Sequence, residues 1–307
     1  MPSDAEHSPS PSTVAITGAT GLIGSALVDR LRGRGHIVRR IVRSAATPGD
    51  ALWDPAHDLI DARALVGVDA VVNLAGEPIA RRWTAERKAA IRESRLRGTA
   101  LLARSVTALP VKPRVFLSGS AIGYYGDRGD ELLDETARPG DGFLARLTVD
   151  WEAATAPISD AGVRVVLLRT GVVLSPNGGA LEKLLPIFRL GGGGPIGSGT
   201  QWMSWISLDD QVRAIEHALF AEKLRGAANL TAPEPVRNAE FATTLGRVLG
   251  RPALLPVPAF ALELLYGEMA RETLLAGQRV VPAALASTGF RFGEPTLEGA
   301  LRCVLRP

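Results

Sequence analysis

The order of apolar and polar positions predicts alternating strands and helices from Thr13 onward. Val14-Ala15-Ile16 is a short apolar run that closes on Gly18. A helical pattern follows, with Ala26, Leu27 and Leu31 lying 4, 5 and 9 residues beyond Leu22, so that all four share one face. Gly35 is a stop signal, and Ile37–Val42 reads as a second strand. Further apolar runs recur at 70–74, 115–117 and 163–168, separated by helix-like stretches at 85–106 and 145–161. Runs that are solidly apolar rather than alternating suit a parallel sheet covered on both faces. Their repeated alternation with helices predicts an α/β fold with a doubly wound parallel sheet.

Beyond about residue 175 the texture changes. Loop signals at 175–179 and 191–194 flank an apolar segment at 181–190, and past Pro233 the chain is mostly helical, at Asn238–Leu249 and 259–275. The division this predicts is a tail over 1–12, a nucleotide-binding domain over 13–232 with substrate-loop insertions at about 175–210, and a smaller, mainly helical C-terminal lobe over 233–307. The tail, MPSDAEHSPSPS, reads as disordered and has neither the apolar core nor the Arg-rich pattern of a targeting leader.

Composition narrows the function classes. The 307 residues are 46% hydrophobic, as in soluble globular proteins. A lone cysteine, Cys303, excludes an internal disulfide and points to a reduced, cytoplasmic setting. Four scattered histidines share no ligand spacing with it, so no metal site is expected. The balance of 35 basic and 32 acidic residues leaves +3, and the basic residues are dispersed rather than clustered. That is no nucleic-acid footprint. No apolar run reaches the ~20 residues of a membrane span. The expected partner is a small-molecule substrate, and the terminal helices offer surface for a homodimer.

The chemistry starts at Thr17-Gly-Ala-Thr-Gly-Leu-Ile-Gly24, placed between the first strand and the first helix. In this Rossmann-type arrangement Gly18 allows the tight turn, Gly21 lets the backbone approach a pyrophosphate, and Gly24 permits close helix–strand packing. Phosphates would sit on the free N–H groups of the helix, so Gly18, Thr20, Gly21, Leu22, Ile23 and Gly24 are candidate cofactor contacts. An NAD site normally carries an acid about 20 residues further on, whereas this chain has Arg43 followed by Ser44. An arginine fork suits the 2′-phosphate of NADP(H).

Several segments together resemble the extended short-chain dehydrogenase/reductases, which include nucleotide-sugar epimerases. They are TGATGLIG at 17–24, VVNLAGE at 71–77, FLSGSAIGYYGD at 116–127, LRTGVVLSPNGG at 168–179 and WISLDD at 205–210. WDP at 53–55, RRWT at 81–84, SRLRGT at 94–99, DWEAA at 150–154 and GGGGPIGSG at 191–199 resemble its atypical epimerase-like subgroup. LAGQRVVP at 275–282 and GFRF at 289–292 are similar to that subgroup's C-terminal domain of unknown function. The resemblance implies that Leu74, Ala75 and Gly76 line the middle of the cofactor and that Val172 approaches the nicotinamide. Arg95 stands where many members have an Asn beside the cofactor.

It also implies hydride transfer served by a Ser or Thr and by a Tyr and Lys in YxxxK. Ser120 occupies the first position, but where YxxxK is expected the chain reads Phe143-Leu-Ala-Arg-Leu147. Tyr124 and Tyr125, just after Ser120, are the candidate substitutes for proton transfer. Arg189, Gln201, Trp202 and Trp205, in the segment that folds over the sheet in the family, are candidate substrate contacts. Asp209 or Asp210 is expected to cap the helix that follows, and the acids from Asp127 to Glu135 read as a solvated loop. Two functions stay open: an NADP(H)-binding oxidoreductase or epimerase-like enzyme with altered acid–base residues, or an NADPH-sensing regulatory or scaffold protein that does little chemistry.

Overall fold

The computed structural model describes residues 11–44 and 47–306; the tail read as disordered falls, up to residue 10, outside the described residues. In chain order the elements are β1 (Thr13–Thr17), α1 (Leu22–Gly33), β2 (Ile37–Val42), β3 (Ala51–Asp54), β4 (Leu59–Ile60), β5 (Ala70–Asn73), α2 (Ala85–Thr107), β6 (Val115–Ala121), β7 (Leu132–Leu133), α3 (Phe143–Ala153) and α4 (Ala156–Asp160). There follow β8 (Arg164–Thr170), β9 (Val172–Leu174), α5 (Gly179–Arg189), β10 (Trp202–Met203), β11 (Trp205–Ser207), α6 (Leu208–Phe220), β12 (Gly226–Leu230) and β13 (Val236–Arg237). The chain closes with α7 (Asn238–Leu249), α8 (Ala259–Tyr266), β14 (Arg279–Val280), α9 (Ala283–Ser287) and α10 (Leu297–Val304).

Eight strands form the main sheet in the order β12-β8-β6-β5-β1-β2-β3-β4. All neighbours are parallel except β3 and β4, an antiparallel edge pair. The chain winds outward from β1 in both directions, so β1 and β5 flank the point where strand order reverses. Crevices for ligands open at the carboxyl ends of strands at such a point.

The two faces follow from strand alternation. Val14, Ile16, Val72, Leu117, Val166 and Leu168 pack under α1 and α6 with Leu27, Leu31 and Ile215. Ala15, Val71, Phe116 and Val165 turn the other way, onto Leu101, Leu102 and Val106 of α2 and Ile158 of α4. A separate apolar cluster joins α5, α7 and α10 through Leu181, Leu185, Phe241, Leu245 and Leu301, with Trp205 at its centre.

Two helices are shorter than their patterns predict. The stretch 145–161 divides into α3 and α4 because Pro157 has no N–H to continue the ladder, and Thr155 turns its hydroxyl onto the Glu152 carbonyl at 2.7 Å. The stretch 259–275 breaks at Gly267, whose φ of 59° ends α8; a π-helical turn over Ala270–Leu274 follows.

Candidate functional site

The glycine turn separates what the protein needs from what a ligand needs. Gly18 has φ +67°, and a Cβ there would lie 2.7 Å from the Leu74 carbonyl carbon; one on Gly24 would lie 2.1 Å from the Gly18 carbonyl oxygen. The protein's own packing therefore demands both glycines. Gly21 differs: its Cβ would meet nothing closer than 3.4 Å. The missing side chain at Gly21 is room for something that is not protein. Gly21 also caps α1 without a side-chain hydrogen bond, and the first turn carries no acid, so its N–H groups and the helix dipole are left for an anion. Leu22 closes one side of the turn, since a Cβ on Gly178 would touch its side chain at 3.0 Å.

Three arginines near the end of β2 have different fates. Arg39 donates to the carbonyls of Arg63, Ala64 and Val66 at 2.8, 3.2 and 2.9 Å. Arg40 grips Asp50 with two bonds of 2.8 and 2.6 Å. Arg43 is exposed one residue past the strand, beside exposed Ser44, and makes no hydrogen bond or ion pair among the described residues.

The loop Leu74–Gly76 is set from below by buried side chains. Thr17 donates to Asn73 Oδ1 at 2.7 Å, Asn73 donates to Thr99 at 3.0 Å, and the Ala75 amide donates back to Thr17 at 3.3 Å. The Arg95 guanidinium lies against Gly76, 3.1 Å from where a Cβ would stand, and donates to the Glu77 and Ile91 carbonyls. Burial lowers its pKa to about 10 despite Glu77 nearby, whose carboxylate is taken by Arg87 at 2.8 Å. Arg95 is a half-buried cation without a carboxylate ion pair among the described residues, beside the loop the cofactor is expected to cross.

At the carboxyl ends of β6 and β8, which pair Ser120 opposite Arg169, a buried polar cluster replaces the missing pair. Along one face of α3 stand Leu144, Thr148 and Glu152. Leu144 packs on Gly123, and Thr148 bonds its own helix at Leu144. Phe143, at the expected tyrosine position, instead packs edge-on against Trp83. No phenol or ammonium stands on that face. Its charged member is Glu152, which accepts from Ser120 at 2.6 Å and from Arg169 at 2.8 and 2.9 Å. Burial alone would lower the Arg169 pKa, but the hydrogen bonds and charge of Glu152 outweigh it and raise it. The start of α3 is held from the C-terminal segment, because Glu272 accepts from the Phe143 and Leu144 amides at 2.8 and 2.9 Å.

The structure separates the two tyrosines. Tyr125 is fully buried; its hydroxyl donates to Asn229 at 2.7 Å and accepts from Arg169 at 3.0 Å. Burial pushes its pKa up further, so it stays a saturated phenol. Tyr125→Phe would leave Asn229 Oδ1 and one Arg169 N–H without this partner, a loss of about 1–3 kcal/mol readable in denaturant unfolding. Tyr124 is half-buried, with the Arg169 guanidinium 3.4 Å over its ring, and its hydroxyl makes no hydrogen bond among the described residues.

On the lobe side, a half-open cleft of about 700 Å³ is lined by Asp127, Asp130, Thr200, Gln201, Trp202 and Arg237, among others. The Trp202 indole donates to Asp130 at 2.7 Å, and Arg237 and Arg279 lie over its ring at 4.3 and 4.6 Å. Gln201 donates to the Ile196 and Leu274 carbonyls, so its amide braces the lobe. Trp205 corrects the expectation of a substrate contact: it is wholly buried and donates to the Glu234 carbonyl, because β11 pairs with β9 inside the lobe core. Arg189 is exposed at the end of α5 and does not line the cleft. Val172 is half-buried, its amide bonded to the Ser204 carbonyl at 2.8 Å.

Two smaller expectations also change. Ser207, not an aspartate, caps α6, leaving Asp210 to accept from the Gly293 and Glu294 amides. The acidic loop is partly structural, since Glu135 accepts from the Asn229 and Ala284 amides. No group of three metal-ligating side chains occurs among the described residues, and no described helix is long and apolar enough to cross a membrane.

The profile of the NAD dependent epimerase/dehydratase family matches residues 14–229, and that of a domain of unknown function, DUF1731, matches 257–304. The epimerase family protein Mb2239 of Mycobacterium bovis is 49% identical over 290 residues, covering 94% of this chain and 96% of the relative. The human epimerase family protein SDR39U1 is 40% identical over 94% of this chain and 98% of its own length. A crystal structure of human SDR39U1 with NADPH superposes with a TM-score of 0.88 at 38% identity, covering 95% of this chain and 98% of that one.

Proposed function

The chain belongs to the NAD dependent epimerase/dehydratase family, and on that footing we propose that it is an NADP(H)-dependent oxidoreductase acting on a small carbonyl or hydroxyl compound or a sugar. The observation that carries the reading is the turn at Gly21, open to a ligand and faced by α1 amides, with Arg43 at the end of the next strand uncommitted among the described residues. The NADPH of the human relative supports that choice of dinucleotide.

Gly18–Gly24 would hold the pyrophosphate, Arg43 the 2′-phosphate, and Leu74–Gly76 with Arg95 the middle of the cofactor. When bound, NADP(H) supplies or accepts the hydride. The Ser120 hydroxyl donates its hydrogen bond to the Glu152 carboxylate, so its oxygen accepts a hydrogen bond from a substrate hydroxyl and orients it. Tyr124 moves the proton: in the reducing direction its hydroxyl protonates the substrate oxygen and is reprotonated from water. The cleft beside Trp202, Asp130 and Arg237 suits the outer hydroxyls of a polyhydroxylated substrate. Arg95→Ala should weaken NADPH and NADH alike, by about tenfold for one charge-assisted contact, as measured by fluorescence titration.

The test is NADPH oxidation by purified protein across a panel of simple carbonyls, ketoses and nucleotide sugars. The enzyme reading expects oxidation with at least one class. Tight NADPH binding with no oxidation anywhere would favour a sensor, a reading that draws on the Leu144 and Thr148 face of α3.

A further inference from the structure

From Arg251 to Glu268 no residue is buried, and helix α8 stands within that stretch. Its sequence, AFALELLY, is apolar apart from Glu263 and Tyr266. Phe260 and Leu264, one turn apart, are each 74% exposed, and Leu265 beside them is exposed as well. A soluble helix normally turns its apolar stripe inward. Here the helix stands proud of the body, and so does the chain leading into it, where Leu254 is 80% exposed. That lead-in hydrogen-bonds along the glycine-rich loop, Leu255 to Gly193 and Val257 to Pro195, and so runs beside exposed Leu190 at the end of α5.

The charges around this ridge are lopsided. Arg271 holds Glu263 at 3.4 Å and Lys88 holds Glu268 at 2.8 Å, which neutralises the acids of α8 and of the turn after it. Arg82 donates to the Leu264 and Leu265 carbonyls at 2.5 and 3.4 Å, so its cation sits against the exposed end of the helix. Arg251 opens the lead-in; its neighbour Pro252 lies 3.8 Å from where a Cβ on Gly191 would stand, close to Arg189 and Leu190. Arg82, Arg189 and Arg251 are exposed, and with Arg81 and Lys183 they have no carboxylate partner among the described residues. Against these five cations the same stretches hold two exposed acids, Glu86 and Glu182, that are likewise unpaired among the described residues.

We propose that this ridge docks the protein reversibly on an anionic lipid surface. Apolar side chains on a protruding helix enter the acyl boundary, while cations without carboxylate partners meet the lipid phosphates. Tyr266, at the end of α8, adds a ring of the kind that settles at headgroup level. A bound peptide would ask for a groove, and α8 buries none of its own residues. A second copy across a two-fold axis would bring the same unpaired cations from both sides.

Vesicle flotation of the full chain tests this, with mixed phosphatidylglycerol–phosphatidylcholine vesicles set against phosphatidylcholine alone. Wild type should float with the anionic vesicles, stay behind with the neutral ones, and bind more weakly in high salt. Arg189→Ala and Arg251→Ala should each weaken binding about fivefold, the worth of one cation near such a surface. Leu264→Glu and Phe260→Glu should each weaken it about tenfold or more, with NADPH binding and thermal unfolding unchanged. Val111→Glu, which alters a comparably exposed side chain elsewhere, should float as wild type does. No binding to anionic vesicles at low salt, or equal binding to neutral ones, would overturn the proposal. So would flotation that survives both α8 variants. A chain that ignores both vesicles and self-associates through α8 would overturn it too, and would assign the ridge to a second copy.

Discussion

Glu152→Ala is expected to destabilise the chain by about 3–5 kcal/mol, a large part of the margin of any domain. The variant strips a buried guanidinium of its carboxylate. Arg169 is 4% exposed and spends Nε and one terminal nitrogen on Glu152, so the variant leaves a buried cation without its counter-charge. The Ser120 hydroxyl would lose its acceptor as well. Equilibrium unfolding in urea should show the midpoint fall with little change in slope. Glu298→Ala, which breaks exposed, solvent-screened pairs to Arg247 and Arg302, should hardly move the midpoint. Equal losses for the two variants would mean that Glu152 is no more than another solvated acid.

Tyr124→Phe is expected to lower turnover by about 10²–10⁴-fold, the usual contribution of a positioned proton donor. Stability should hardly change, because the removed oxygen bonds no described residue, and cofactor affinity should stay at the wild-type level. The contrast lies with Tyr125→Phe, which should act on stability first. Steady-state rates measured on both variants with the best substrate of the panel separate the two. Unchanged turnover in Tyr124→Phe would remove this hydroxyl from the chemistry.

What the chain revealed in advance was local. The glycine turn, the first helix and the apolar strands rest on spacings of a few residues, and the structure keeps Leu22–Gly33 and Ile37–Val42 where those spacings place them. The break at Gly267 was also local, yet the apolar pattern on both sides of it masks one residue in a left-handed conformation.

Glu152 and Arg169 could not be paired from sequence, because their meeting needs β6, β8 and α3 in place. A signal did exist. Leu144, Thr148 and Glu152 recur every four residues on the face where YxxxK is expected, and Arg169 interrupts an apolar strand. Trp205 misled because a tryptophan in a glycine-rich segment suits a core as well as a ligand, and only the pairing of β11 with β9 puts it inside. Ser207 outcompeted the aspartates as a cap because Asp210 is drawn to the Gly293 and Glu294 amides, more than eighty residues away.

The claim on which the functional reading stands is that Arg43 receives the 2′-phosphate of NADP(H). Calorimetric titration of wild type and Arg43→Asp with NADPH and with NADH tests it most directly. Wild type should bind NADPH about ten- to a hundredfold more tightly than NADH, the worth of a charge-assisted contact. The variant should lose that preference through weaker NADPH binding alone, with NADH unchanged. Equal affinity of wild type for both dinucleotides, or equal weakening of both in Arg43→Asp, would contradict it.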